Sequence, residues 1–155
     1  MLRRLLLISL LAAGALPVVP MHAQNPDPLF TATREQLAVA KTILAQETAW
    51  NKGDLDGFLK FFKDAPDTEV MLGNPVYGLT DIRNAFHTLY PAADAMGKLE
   101  DSEIQVRSLG DNFALATGKY HISRSHKAGG DAQGTFSEIL EKTPTGWQVI
   151  FSESI

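Results

Sequence analysis

Cysteine is missing from this chain of 155 residues. Without thiols, the protein forms no disulfide, has no cysteine nucleophile and builds no thiolate metal site. A domain without such cross-links depends on its hydrophobic core for stability, and this chain is long enough to bury one. The absence therefore excludes disulfide-stapled scaffolds, cysteine-dependent enzymes and metal sites made of cysteine.

Clustered positive charge is also scarce. The chain has 14 Lys and Arg against 18 Asp and Glu, a net charge of −4, and the two signs are interspersed. Nucleic acids and anionic membranes are bound through basic runs or patches. The composition therefore argues against nucleic acid and against a membrane surface as partners.

Hydrophobic runs are limited to the N-terminus. Arg3 and Arg4 precede an apolar stretch, residues 5–13, that is too short to span a bilayer. This pattern predicts a secretory signal peptide over residues 1–23, and hence a periplasmic or secreted protein without membrane contact after cleavage. A retained membrane anchor is the alternative. Residues 24–32 contain two prolines and are predicted to be a tether.

Helical signals come first in the remaining chain. Thr33 and Gln36 have the spacing of a capping box, and Gly53 suits the end of the helix that follows. The spacing predicts amphipathic helices over residues 33–52, 55–63 and 80–90. The buried stripe of the first helix is expected at Leu37, Ala40, Ile43, Leu44 and Trp50.

Strand signals follow the helices. Alternating patterns and turn residues predict strands over residues 68–72, 104–107, 113–123, 135–142 and 147–154. Residues 91–99 are predicted to be a loop. Helices followed by a meandering sheet predict one α+β domain, in which the sheet curls around the helices and leaves a pocket between them.

Three stretches together resemble a known superfamily. They are residues 49–58 (AWNKGDLDGF), 109–111 with 114–119 (LGD and ALATGK) and 146–150 (GWQVI). Their order and spacing are similar to those of the SnoaL-like exported branch of the nuclear transport factor 2-like superfamily, over nearly all of residues 33–155. The resemblance implies a cone-shaped, bent antiparallel sheet wrapped around a long N-terminal helix, a homodimer and an apolar pocket.

Function does not follow from this resemblance. The superfamily includes ketosteroid isomerase, scytalone dehydratase, limonene epoxide hydrolase, polyketide cyclases and members without known activity. Members of the exported branch often end the last strand with His-x-His, where this chain has Phe151, Ser152 and Glu153. The isomerase places its base carboxylate at the end of the first strand, where residues 72–75 (LGNP) contain no acid.

Glu138 and Glu153 are the candidate catalytic residues. If residues 143–146 form the hairpin loop, Lys142 faces Trp147, and an uninterrupted register places the two glutamates diagonally on one face. Two carboxylates on an apolar face would have divergent pKa values, giving one acid and one base. The alternative is that both lie on the solvated face, and a change of register by one residue would place them on opposite faces.

Other candidates for chemistry are weaker. His121 has the opposite parity to its apolar neighbours in the strand, so a structural or interface role is expected; His87 is expected at the surface and His126 in a loop. No metal site and no cofactor are predicted, since no histidine or carboxylate pair has metal-ligand spacing.

Aromatic residues with a few polar groups suit an apolar ligand site. The candidate ligand-binding residues are Trp50, Phe62, Met71, Tyr77, Phe86, Tyr90, Tyr120 and Phe151. The leading interpretation is an exported domain that binds a small apolar or aromatic molecule. The alternatives are an isomerase, dehydratase or hydrolase that uses the carboxylate pair, and a structural module that dimerises through the outer face of its sheet.

Overall fold

Helices and strands alternate only in the first half of the described chain. The computed structural model describes residues 32–155, so the predicted signal peptide and most of the predicted tether lie outside the described residues. The helices are α1 (Arg34–Asn51), α2 (Leu55–Leu59), α3 (Leu79–Leu89) and α4 (Ala93–Met96). The strands are β1 (Glu69–Leu72), β2 (Asn74–Tyr77), β3 (Lys98–Ser108), β4 (Phe113–Ser123), β5 (Ala132–Thr143) and β6 (Gly146–Ser154).

The ends of α1 follow the sequence signals. Thr33 accepts a hydrogen bond from the backbone N–H of Gln36, and the Gln36 side chain accepts one from the backbone N–H of Thr33, so the capping box is confirmed. Gly53 follows the helix with φ +70°, a conformation that favours glycine. Asp54 then caps α2 through the N–H of Gly57, as predicted.

The buried face of α1 is not the predicted one. Val39, Ile43, Gln46 and Trp50 are buried and recur at helical spacing. Leu37 and Leu44 were expected in the core, but 40% and 49% of their surfaces are exposed. The stripe that packs against the sheet therefore contains a polar residue, Gln46. A search for apolar residues at helical spacing does not identify it.

The sheet has six strands in the order β2-β1-β6-β5-β4-β3. The pairing of β1 with β6 is parallel, and the other neighbours are antiparallel. The sheet is curled and unclosed, with α1 against its inner face. The predicted α+β fold, a bent sheet wrapped around a long first helix, is confirmed.

Three predicted segments differ from the structure. The second helix ends at Leu59 rather than at residue 63, because the backbone around Phe62 bonds to Val149 of β6. The strand predicted over residues 68–72 ends at Leu72 as expected, but Gly73 leads directly into the edge strand β2, which was not predicted. Residues 91–99 contain α4 and the start of β3 rather than a loop.

Successive side chains of each strand point to opposite sides, so the sheet has an inner face and an outer face. The inner face carries the core, which includes Val70, Ala116, Leu140 and Val149. No helix within residues 32–155 is long and apolar enough to cross a membrane.

Candidate functional site

A cavity of about 300 Å³ lies between α1 and the inner face of the sheet. Six aromatic side chains line it: Trp50, Phe58, Phe86, Tyr90, Tyr120 and Phe136. Six side chains that can form hydrogen bonds also reach it: Gln46, Asp101, Arg124, Glu138, Ser152 and Ser154. An apolar cavity with a few converging polar groups is the usual form of a small-molecule site.

The aromatic wall is held by contacts among its own members. The Trp50 ring meets Phe58 and Tyr90 edge to face, with ring centroids 5.3 Å and 4.8 Å apart. The indole N–H of Trp50 donates to the carbonyl oxygen of Met96 at 3.0 Å, which fixes the plane of the ring. These contacts give the cavity a rigid wall before any ligand is present.

Glu138 is the most deeply buried acid of the cavity. Its side chain lies on the inner face of β5 and is 6% exposed. Its Oε2 accepts a hydrogen bond from Nε2 of Gln46 at 3.2 Å, and its Oε1 accepts one from Oγ of Ser152 at 3.2 Å. Burial raises the pKa of Glu138 to about 7, although both hydrogen bonds oppose the rise. At neutral pH this carboxyl group is therefore present in both protonation states.

Asp101 is a second acid on the same cavity, contributed by β3. Burial raises its pKa to about 7, and the negative charge of Glu47 adds to the rise. The Asp101 carboxylate in turn raises the pKa of Glu138. A bulge in β3 between Ser102 and Gln105 resets the register, with Glu103 at φ 53°. This bulge allows Asp101 to share the inner face with residues beyond it.

Tyrosine and arginine complete the polar lining. Burial raises the pKa of the Tyr90 hydroxyl, while the positive charge of Arg124 acts in the opposite direction. The Arg124 guanidinium donates from Nε to the carbonyl oxygen of Gly130 at 2.9 Å and from Nη1 to that of Ala95 at 3.4 Å. The cavity therefore combines acids, hydroxyl groups and one guanidinium around an apolar interior.

The predicted pairing of Glu138 with Glu153 was wrong. Lys142 faces Trp147 as expected, but a bulge follows, so Glu138 faces Ser152 and Glu153 faces Ser137. Side chains on consecutive residues point to opposite faces of a strand, so Glu153 lies on the outer face. Glu138 occupies the cavity as expected, and its acidic neighbour there is Asp101 rather than Glu153.

The structure separates the predicted ligand-binding residues into two groups. Five line the cavity: Trp50, Met71, Phe86, Tyr90 and Tyr120. The other three do not. Phe62 is buried behind the cavity wall against Phe58, Tyr77 is 53% exposed on the edge strand, and Phe151 lies on the outer face opposite Ile139. Aromatic character alone did not distinguish a lining residue from a core or surface residue.

Five polar lining residues were not identified from the sequence, although three of them carried a signal. Gln46 lies three residues after Ile43 and four before Trp50, which is the spacing of the buried stripe. Asp101 alternates with Leu99, and Arg124 continues the parity of Tyr120. Ser152 and Ser154 gave no such signal, because their orientation depends on the bulge in β6.

The three histidines within residues 32–155 lie away from the cavity. His121 is half-buried on the outer face of β4, as its parity predicts, and His126 lies in a short 3-10 turn (His126–Ala128). His87 contacts Asp56 at the surface, beside Arg83. Within residues 32–155, no cluster of three or more histidine, aspartate or glutamate side chains has the geometry to hold a metal ion.

No protein-family model matches the sequence, and no curated protein matches it with significance. Solved structures do match. One is a nuclear transport factor 2-like protein of unknown function from Shewanella oneidensis MR-1, with a TM-score of 0.69, 23% identity, and coverage of 76% of this chain and 95% of that chain.

Two further structures are similar at lower identity. A nuclear transport factor 2-like protein of unknown function from Pseudomonas putida KT2440 has a TM-score of 0.64 and 15% identity, covering 79% of this chain and 87% of that chain. A protein provisionally named scytalone dehydratase, from Novosphingobium aromaticivorans DSM 12444, has a TM-score of 0.62 and 13% identity, covering 76% and 80%. Identities this low establish a common fold and no common activity. This chain has the nuclear transport factor 2-like fold, the one that the resemblance in its sequence implies.

Proposed function

We propose that this domain binds a small molecule with an apolar, ring-containing body in the cavity between α1 and the sheet. The observation that carries the proposal is the cavity itself: about 300 Å³, lined by six aromatic side chains and with Glu138 buried in its wall. A core that served only for stability would fill this space, because voids in a core destabilise it. The open cavity therefore argues against the purely structural alternative.

Glu138 supplies the specific polar contact of the proposed site. Gln46 and Ser152 hold its two carboxyl oxygens and so fix its orientation. In its protonated form the group donates a hydrogen bond to a ligand oxygen, and in its ionised form it accepts one from a ligand hydroxyl. Such a group selects ligands that carry a polar atom at one position of an otherwise apolar body.

A thermal-shift screen of ring-containing apolar molecules tests the proposal. A ligand present at 100 times its Kd stabilises the folded state by about 2.7 kcal/mol, which raises the melting temperature by roughly 5–10 °C. Ala132→Phe places a ring in the cavity and should abolish the shift, whereas Gln133→Phe, on the exposed neighbouring residue, should preserve it. A melting temperature unmoved across the whole panel would contradict the proposal.

Acid–base catalysis is the second candidate function. Asp101 and Glu138 share the cavity, and each has a pKa raised to about 7 by burial. General acids and bases work best when their pKa lies near the working pH. One carboxylate would remove a proton from a ligand carbon, while the other carboxylic acid would protonate a departing hydroxyl group, which leaves as water, or return a proton to another carbon.

Isotope exchange distinguishes catalysis from binding. Each ligand found by thermal shift is incubated with the protein in D₂O, and deuterium at carbon is measured by mass spectrometry. We expect incorporation with the unaltered protein, a loss of at least 100-fold with Asp101→Asn or Glu138→Gln, and no loss with Glu153→Gln. Ligand binding without deuterium incorporation would contradict acid–base catalysis and would support a function in binding alone.

Homodimer formation and export complete the proposal. On the outer face, Leu115, Ile139 and Phe151 lie side by side on β4, β5 and β6, and all three are half-buried in the single chain. We expect a dimer through this row. Sedimentation should show that Ile139→Lys is monomeric, while Gln105→Lys on the edge strand remains dimeric. Fractionation of the producing cell tests the periplasmic or secreted location.

A further inference from the structure

We infer that the ligand of this cavity carries an anionic group, such as a carboxylate, which is bound by the Arg124 guanidinium. The inference rests on the proposed binding function and narrows its ligand class. Arg124 directly follows β4 and keeps the inward parity of Tyr120 and Ile122, so its side chain reaches the cavity that these two residues line.

The guanidinium is fixed by backbone groups rather than by an acid. Gly130, in the loop between β4 and β5, accepts from Nε, and Ala95 of α4 accepts from Nη1. Asp131 accepts a hydrogen bond from the backbone N–H of Arg124. Within residues 32–155, no carboxylate oxygen lies within 4.0 Å of the guanidinium.

The aliphatic stem of Arg124 is equally constrained. A Cβ atom at Gly97 would lie 2.2 Å from Cγ of Arg124 and 2.6 Å from the carbonyl oxygen of Ser123. Gly97 also has φ +69°, which other residues rarely adopt. Glycine at this position therefore permits the close approach that holds the arginine at one end of the cavity before a ligand binds.

A half-buried positive charge without an acidic partner lacks the compensation that buried charges normally have. Two backbone carbonyls occupy two of the five N–H donors of the guanidinium, so further donors are free to form a forked contact with a carboxylate. Lysine would offer a point charge without this geometry. An anionic ligand group supplies the missing partner.

The two acids of the cavity, Asp101 and Glu138, lie at a distance from Arg124 along the strands. Glu138 faces Ala116 of β4, eight residues before Arg124, and Asp101 faces Tyr120, four residues before it. Four residues of strand extend about 13 Å, which separates Arg124 from the partner of Asp101, and Glu138 lies farther along the strand. The arginine and Glu138 therefore contact different ends of a bound molecule. The ligand class is an elongated apolar molecule with an anion at one end and an uncharged oxygen at the other.

Calorimetry with matched ligand pairs tests the inference. The probes are 4-hydroxybenzoate, 6-hydroxy-2-naphthoate and 4′-hydroxybiphenyl-4-carboxylate, each compared with its primary amide, which has nearly the same shape and no charge. For at least one pair, we expect the unaltered protein to bind the carboxylate at least tenfold more tightly than the amide. Arg124→Gln should bind the two equally. Arg107→Gln, which removes an exposed arginine of β3 outside the cavity, should retain the preference.

The outcomes separate the two proposals. If the unaltered protein binds a ligand of the thermal-shift panel but neither member of any pair, the anionic ligand class fails and the binding function stands; if it binds nothing in the panel or the pairs, both fail. If it binds both members equally, or if folded Arg124→Gln keeps the preference, only the role of Arg124 is overturned. Should Arg124→Gln fail to fold, Arg124→Lys replaces it, and a preference as large as that of the unaltered protein would overturn the forked contact.

Discussion

The two faces of one sheet differ sharply in this protein, although the same strands build both. On the inner face, Glu138 is buried, hydrogen-bonded on both carboxyl oxygens, and has a pKa raised to about 7. On the outer face, Glu153 and His121 are half-buried, and the Lys119–Glu103 ion pair is exposed. Consecutive residues of one strand therefore lie in different environments: one side chain faces the buried cavity and the next faces outward.

The comparison teaches that residue type is a poor guide to role here. Glu138 and Glu153 are the same amino acid on neighbouring strands, and only the first reaches the cavity. What separates them is a single bulge in β6, which shifts the pairing between Leu140 and Ile139. Substitutions on the inner face should therefore have large, pH-dependent effects, and those on the outer face should have small ones.

The largest effect is expected from Phe62→Ala. Phe62 is 2% exposed and packs behind the cavity wall, with its ring 5.5 Å from that of Phe58. Removing a buried ring costs the lost burial and leaves a void, so the free energy of unfolding should fall by about 3–5 kcal/mol. Urea denaturation measures it. Phe113→Ala, an exposed residue on the outer face of β4 outside the proposed dimer row, is the control, and an equal loss there would contradict the difference between the faces.

Glu138→Gln should change the stability of the protein in a pH-dependent way. Because the folded pKa of about 7 exceeds the ordinary value of 4.5, the folded state binds more protons than the unfolded state between these two values. The contribution of Glu138 to the free energy of unfolding therefore falls as the pH rises through this window, by about 3 kcal/mol, while Asp101 adds its own pH dependence to both the unaltered protein and the variant.

The neutral glutamine retains a similar shape and removes this proton linkage. The variant should match the unaltered protein near pH 4 and be more stable by up to about 3 kcal/mol near pH 8. Chemical denaturation across this pH range measures the difference. Equal pH dependence in both proteins would contradict the burial of an ionisable group at this position.

Gly118→Ala should have an intermediate effect. A Cβ atom on this inner-face residue would lie 2.6 Å from the ring of Phe136 and 3.0 Å from the carbonyl oxygen of Ser102. The ring would have to move into the cavity, so we expect a loss of about 1–3 kcal/mol and weaker ligand binding. Thermal denaturation and calorimetry measure the two effects. Lys119→Ala, the outward neighbour, should change neither by a comparable amount.

Glu153→Gln should have the smallest effect. The side chain lies on the outer face, away from the cavity, and surface substitutions usually change stability by less than about 0.5 kcal/mol. Its pH profile of stability should match that of the unaltered protein. A profile that instead resembled that of Glu138→Gln would mean that the register of β6 places Glu153 inside.

Local signals were sufficient for much of the fold. The capping box at Thr33 and Gln36, the glycine at residue 53 and the turn at residues 143–146 are satisfied by neighbours a few residues away, so the sequence indicates them directly. Alternation along β4 correctly placed His121 on the outer face. Regular periodicity identifies faces wherever a strand is uninterrupted.

The sequence by itself determined a long capped helix, the hairpin of β5 and β6, the two faces of β4 and the fold class, because each depends on contacts between near neighbours or on a regular period. The tertiary structure alone decided the site. Two bulges, near Glu103 and Ile150, set which acids face inward, and no local pattern marks either bulge. Gln46 and Ser152 acquire their role only when α1 and β6 meet Glu138, since burial among distant elements raises its pKa.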